Sequence, residues 1–139
     1  MVISMKTYKL KIVTPEKIFF DGETEQITIR TTEGDIGILA GHIKYVCNIV
    51  AGPLKVKQEN GEYRAAALSE GILKVSDEGV TVLSSTAEWA DEIDLERAER
   101  AKQKAENILA DKSRIDDFDR AEIKLKRALT RISVSTKYM

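Results

Sequence analysis

Histidine and cysteine occur once each in this chain, at His42 and Cys47. A zinc centre built from cysteine and histidine alone needs more of both. A lone cysteine has no intrachain disulfide partner, which fits a reducing compartment. Proline stops at Pro53 and glycine at Gly79, so everything from Val80 onward lacks the two strongest structure breakers. Aromatic residues make up 6% of the chain. None interleaves the basic run Lys124, Lys126, Arg127 and Arg131, so stacking platforms for nucleic acid are missing. No apolar run approaches the roughly 18 residues of a membrane-spanning helix. Met1-Val2-Ile3-Ser4-Met5-Lys6 is too polar and short for a signal peptide, and Met5 is a second candidate start. The net charge of -1 leaves no global pull toward nucleic acid or lipid. Neither a nucleic-acid partner nor direct lipid insertion is expected.

Catalytic signatures are missing too. There is no Gly-x-Ser-x-Gly elbow, no Walker loop and no His-Glu-x-x-His. Glu33 and Asp35 near His42 could suggest acid–base work, but they read as a turn carboxylate pair beside a loop histidine. Cys47 alternates with Tyr45 and Ile49 and reads as core. The sequence expects no catalytic residue, no metal site and no enzyme.

What is present divides in two. Residues 1–86 read as short strands. Tyr8–Val13 and Glu25–Arg30 alternate apolar and polar residues, as half-buried strands do. Lys17–Phe20 is a strand before an Asp21-Gly22 turn. Residues 33–42 hold one short strand in a Gly-rich loop. Tyr45–Val50 and Leu54–Lys57 flank Gly52-Pro53, and Asn60-Gly61 is a hairpin signal. Tyr63–Leu68, Ile72–Val75 and Val80–Leu83 complete eight to ten antiparallel strands, the pattern of an all-β sandwich.

Residues 87–139 read as a helical hairpin, which makes the fold class α+β. Asp94 is the candidate N-cap of the first helix. Its apolar stripe is Leu95, Ala98, Ala101, Ala105 and Ile108, mostly alanine, so the seam is thin. Asp111-Lys112-Ser113 turns the chain. The second helix carries Phe118, Ala121, Leu125, Ala128, Leu129 and Ile132. Asp94 and Arg97 lie one turn apart, and Arg120, Arg127 and Arg131 lie along one face.

Several stretches resemble the epsilon subunit of bacterial F-type ATP synthases. They are Gly34-Asp35-Ile36-Gly37-Ile38-Leu39-Ala40-Gly41-His42, Leu68-Ser69-Glu70-Gly71-Ile72-Leu73-Lys74-Val75, Gly79-Val80-Thr81-Val82-Leu83, and Ala87-Glu88 through Ala98. The likeness covers roughly residues 5–135, in the family's order. It implies a non-catalytic rotor subunit on the cytoplasmic face of the bacterial plasma membrane. The implied partners are the gamma subunit, the polar loops of the c-ring and, when the helices extend, the alpha/beta head. There the extended helices impede ATP hydrolysis. Some members bind regulatory ATP in the folded hairpin through Ile/Leu-Asp-x-x-Arg-Ala, intact here as Ile93-Asp94-Leu95-Glu96-Arg97-Ala98. The implied ATP set adds Glu88, Arg120, Arg127 and Arg131, with magnesium not required.

Given the partners the resemblance implies, Asp35 and His42, polar residues of the Gly-rich loop, are the candidate c-ring contacts. The basic run Lys124, Lys126, Arg127 and Arg131, with no acid within it, is the candidate contact to the head. Three positions depart from the family pattern. Ala40 replaces the usual proline. Glu70 stands in a Ser-Gly-Gly motif and lacks a glycine's backbone freedom. Lys104 replaces an arginine and offers a point charge rather than a fork. The alternative reading is a free-standing β-sandwich module with a helical docking tail.

Overall fold

The computed structural model describes residues 6–138, without the side chain of Tyr138. The reading of Met1–Met5 as no signal peptide, with Met5 a second start, lies outside the described residues. Nine strands follow one another: β1 Tyr8–Val13, β2 Ile18–Thr24, β3 Gln26–Thr31, β4 Gly34–Leu39, β5 Tyr45–Lys57, β6 Tyr63–Leu68, β7 Gly71–Ser76, β8 Gly79–Ser84 and β9 Ala87–Trp89. Two helices close the chain, α1 Leu95–Ala110 and α2 Phe118–Tyr138, so the fold is a β-sandwich followed by a two-helix hairpin.

The strands pair in the order β2-β1-β8-β7-β5-β3-β4, with β6 joined to β5 and β9 joined to β6. The alternation read from the sequence sets the burial. Leu10, Ile12, Ile27, Ile29, Ile38, Leu54, Leu73 and Val82 are buried and form one core with Trp89. Such burial, at about 25 cal/mol per Å2 of apolar surface, is the main stabilising term of the sandwich.

Four local features differ from the sequence reading. Asp21-Gly22 is no turn, because β2 runs through it and pairs with Lys11 and Leu10 of β1. Gly52-Pro53 does not break β5. That strand changes partner there, pairing with β7 before Gly52 and with β6 from Gly52 onward. A Cβ on Gly52 would fall 2.7 Å from the Arg30 side chain, so only glycine lets β3 pass at that bend. The strands are antiparallel except for β1 and β8, which pair in parallel. Ala87–Trp89, read as helix, is strand β9, held against Ala66, Ala67 and Leu68. Tertiary pairing overrides helix propensity there, because Trp89 stacks on Phe19 at 4.6 Å and Arg64 lies over its ring at 3.8 Å.

The helices start and turn where their residues direct. The Asp94 carboxylate accepts from the Arg97 amide at 3.1 Å and caps α1. Asp111 accepts from the Ser113 amide, and a 3-10 stretch over Lys112–Asp117 completes the turn. The seam is alanine: Ala98, Ala105, Ala121 and Ala128 are all buried. The stripe of α2 differs at its end. Leu129 is exposed, whereas Val134 is fully buried among Ala65, Ala67, Ala90 and Ile93. The last turns of α2 thus leave the hairpin seam and dock on β6.

A cationic cavity between hairpin and sandwich

Strand β6 has two buried faces. Ala66 and Leu68 belong to the sandwich core, and Ala65 and Ala67 lie under α2. Beside this contact, hairpin and sandwich leave a cavity of about 680 Å3. Ligand pockets commonly hold roughly 300–1,000 Å3. Arg97, Ala101, Lys104, Ala105 and Ile108 of α1 form one wall, and Lys124, Arg127, Ala128 and Arg131 of α2 form another. Steps of three and four residues put each set on one helix face. Ala67, Leu68 and Ser85–Glu88 form the sandwich side, and Thr14, Glu16 and Lys17 reach in from the β1–β2 loop.

Cations dominate the lining. Lys17, Arg97, Lys104, Lys124, Arg127 and Arg131 face only Glu16, Glu88 and Glu92. Arg131 spends its charge on Glu88, through Nε to Oε1 at 3.0 Å. Arg127 donates through Nη2 to Glu70. Its Nε is buried without an acceptor. A buried donor left unmade costs about 1–3 kcal/mol, a cost that a rearrangement of the Arg127 side chain onto another acceptor would relieve. Burial pushes the Glu70 carboxyl up. Hydrogen bonds from Arg127, its own amide and Ser85, together with the Arg127 charge, outweigh that and hold it below the usual range. Between the cations lie small apolar surfaces at Ala67, Ala101, Ala105 and Ala128. The cavity can therefore take a flat, weakly polar group and a multiply charged anion together.

The sequence-derived residues divide on this geometry. Glu88, Arg97, Arg127 and Arg131 line the cavity, with Lys124. Asp94 stands at its edge as the cap that fixes the first turn bearing Arg97. Ile93 and Ala98 are buried packing residues. Arg120 is exposed and does not line the cavity. Seven residues put it two turns, about 10 Å, from Arg127. Lys126 is exposed on α2, outside the lining.

Asp35 lies on β4, not in a loop, and pairs across β3 with Arg30 at 2.8 Å. The Arg30 hydrogen bond holds its carboxyl below the usual range. His42 lies exposed beyond the other end of β4. About 13 Å of extended strand separates Asp35 from the turn that carries it. Lys17, Glu92 and the pairing role of Glu70 escaped the sequence reading, whereas Lys104, singled out there as a lysine in place of an arginine, lines the cavity. Glu70 drew notice only for its backbone, yet no described non-glycine residue has a positive φ, so glycine is not needed there.

The comparisons bear on the whole described chain. The family model for the ATP synthase delta/epsilon chain β-sandwich domain matches residues 7–90. The model for the long α-helix domain of the same chain matches residues 91–136. The chain belongs to the ATP synthase delta/epsilon chain family. An ATP synthase epsilon chain of Ruminococcus albus is 51% identical over 134 residues, which cover 96% of this chain and 99% of that one. The epsilon chain of Clostridium novyi is 50% identical, covering 93% and 98%. A chain of the Euglena gracilis mitochondrial ATP synthase superimposes with a TM-score of 0.80 at 26% identity, over 96% of this chain and 84% of that chain. A chain from the Tetrahymena thermophila mitochondrial ATP synthase shares the fold, with a TM-score of 0.55 at 21% identity. This is a non-catalytic epsilon-type subunit. Among the described residues no helix is long and apolar enough to cross a membrane.

Proposed function

We propose that this subunit is the nucleotide-sensitive element of a bacterial ATP synthase rotor. In this reading the sandwich joins the gamma subunit on the central stalk and meets the polar loops of the c-ring, with Asp35 and His42 as contacts. The complex sits on the cytoplasmic face of the plasma membrane, and this chain is peripheral to it. The docked hairpin holds ATP as a regulatory ligand. The observation that carries this reading is the cavity, where Arg97, Lys104, Lys124 and Arg127 surround space that also borders the alanines Ala67, Ala101, Ala105 and Ala128. Charge-assisted and partly bidentate hydrogen bonds from arginine suit a polyphosphate. The alanine surfaces suit a base. In this reading phosphate charge is met by arginine and lysine, without a requirement for magnesium.

ATP that binds only the docked hairpin stabilises it by about 2.7 kcal/mol at a hundredfold excess over its dissociation constant. That shifts a two-state element whose gap is a few kcal/mol. When ATP falls, the hairpin opens. Lys124, Lys126, Arg127 and Arg131 then reach the alpha/beta head and impede hydrolysis. Calorimetric titration of the isolated protein with ATP tests the site, beside Arg97→Ala and Arg127→Ala. Binding that weakens in both variants is expected. No heat at millimolar ATP, or unchanged affinity in both variants, removes the site.

A further inference from the structure

Glu70 and Arg127 belong to different parts of the molecule. Glu70 sits on the rigid sandwich, where its carbonyl accepts from the Ser85 amide at 3.0 Å and from the Ser85 hydroxyl at 3.1 Å. The next residue is fixed as well. A Cβ on Gly71 would fall 1.8 Å from the Leu83 carbonyl oxygen, so β7 and β8 approach as only glycine permits. The Glu70 carboxylate is thus mounted on a stiff corner. Arg127 rides on α2, the element that must leave when the hairpin opens. Their ion pair is one of two between α2 and the sandwich among the described residues, the other being Glu88–Arg131. The two pairs differ in one respect. Glu88 lies in the cavity lining with Arg131, whereas Glu70 draws Arg127 from outside the lining. It engages Nη2 and leaves the buried Nε unmet.

We propose that Glu70 is the site's own anion: it holds α2 docked without ligand by occupying Arg127, and an incoming phosphate must displace it. The displacement half rests on the reading of the cavity as a nucleotide site; the docking half stands without it. Both halves draw on one interaction, so they are linked quantitatively. Neutralising Glu70 removes the pair from the empty docked state. The ligand-bound docked state, in which the pair is already broken, is unaffected. Docking must therefore weaken by the same factor by which ligand affinity tightens. Arg127 and Glu70 side chains are 34% and 47% exposed, so water screens the pair and the factor is modest, roughly fivefold at most.

The test uses the full chain carrying Cys47→Ser and Ala65→Cys. Ala65 is buried with Val134 of α2, so thiol labelling there reports undocking. Glu70→Gln is expected to raise the ligand-free labelling rate up to about fivefold. Titration with ATP should then show tighter binding by the same factor. On an Arg127→Ala background, Glu70→Gln should change neither quantity. An unchanged labelling rate overturns the proposal. So does a raised rate with unchanged ATP affinity. Faster labelling with no ATP binding in any variant refutes the nucleotide reading and displacement with it, leaving Glu70 a docking residue alone.

Discussion

Val134→Ala should open the hairpin and leave the sandwich intact. Val134 has no exposed surface and packs against Ala65, Ala67, Ala90 and Ile93, a cluster separate from the main core. The substitution deletes two methyl groups, about 1.6 kcal/mol of transfer free energy. Ala65 and Ala67 are fixed in β6 and cannot collapse fully into the gap, so a cavity term brings the loss to about 2 kcal/mol. Alanine is the better helix former, by about 0.6 kcal/mol, which offsets part of it. The net is about 1.4 kcal/mol, or roughly tenfold in the docking equilibrium. Amide hydrogen exchange measures this directly. Protection in the last turns of α2 should fall about tenfold, while Leu10, Ile29, Leu54 and Leu73 keep their rates. Unchanged α2 protection would refute the assigned contact. Equal loss in α2 and the sandwich would refute the hairpin as a separately opening unit.

Other outcomes follow from the same geometry. A chain ending at Glu92 should fold and bind the gamma subunit, because it keeps β9. One ending at Ser85 loses Trp89, its Phe19 stack and the β6 pairing, and should melt earlier. Acid should loosen α2 only below the ordinary carboxylate range. The folded-state value of Glu70 is depressed, so its contribution is complete above about pH 4.3, the usual glutamate value, and is lost as pH falls through the depressed value. Glu70→Gln should flatten that part of the pH profile of α2 protection, and an identical profile in the variant would count against the pairing.

The alternating strands were legible because a half-buried strand must place its apolar residues at every second position, and Leu10, Ile12, Ile27 and Ile29 do so. The Asp94 cap and the alanine seam were legible for a similar reason, since capping and helix contact act over one or two turns. What escaped depends on contacts distant in sequence. Nothing local in Ala87-Glu88-Trp89 says strand, and the pairing is imposed by β6. Gly52-Pro53 looks like a break until both partners of β5 are in place. In the site, the family resemblance named Arg97, Arg120, Arg127 and Arg131 together, and helical spacing put the three of the second helix on one face; the cavity is lined by Arg97, Arg127 and Arg131 but not by Arg120. A shared face does not shorten the distance along the axis. Glu70 and Lys17 enter the site's electrostatics from sandwich loops, where no periodicity marks them.

The central claim is that ATP holds the hairpin down. The most direct measurement is the separation between labels at Glu59→Cys on the sandwich and Glu122→Cys on α2, in a Cys47→Ser background, within the assembled complex. Both labelled positions are exposed in the docked chain. With ATP in excess the separation should stay at its docked value. On ATP removal it should lengthen. A separation that is the same with and without ATP contradicts the account.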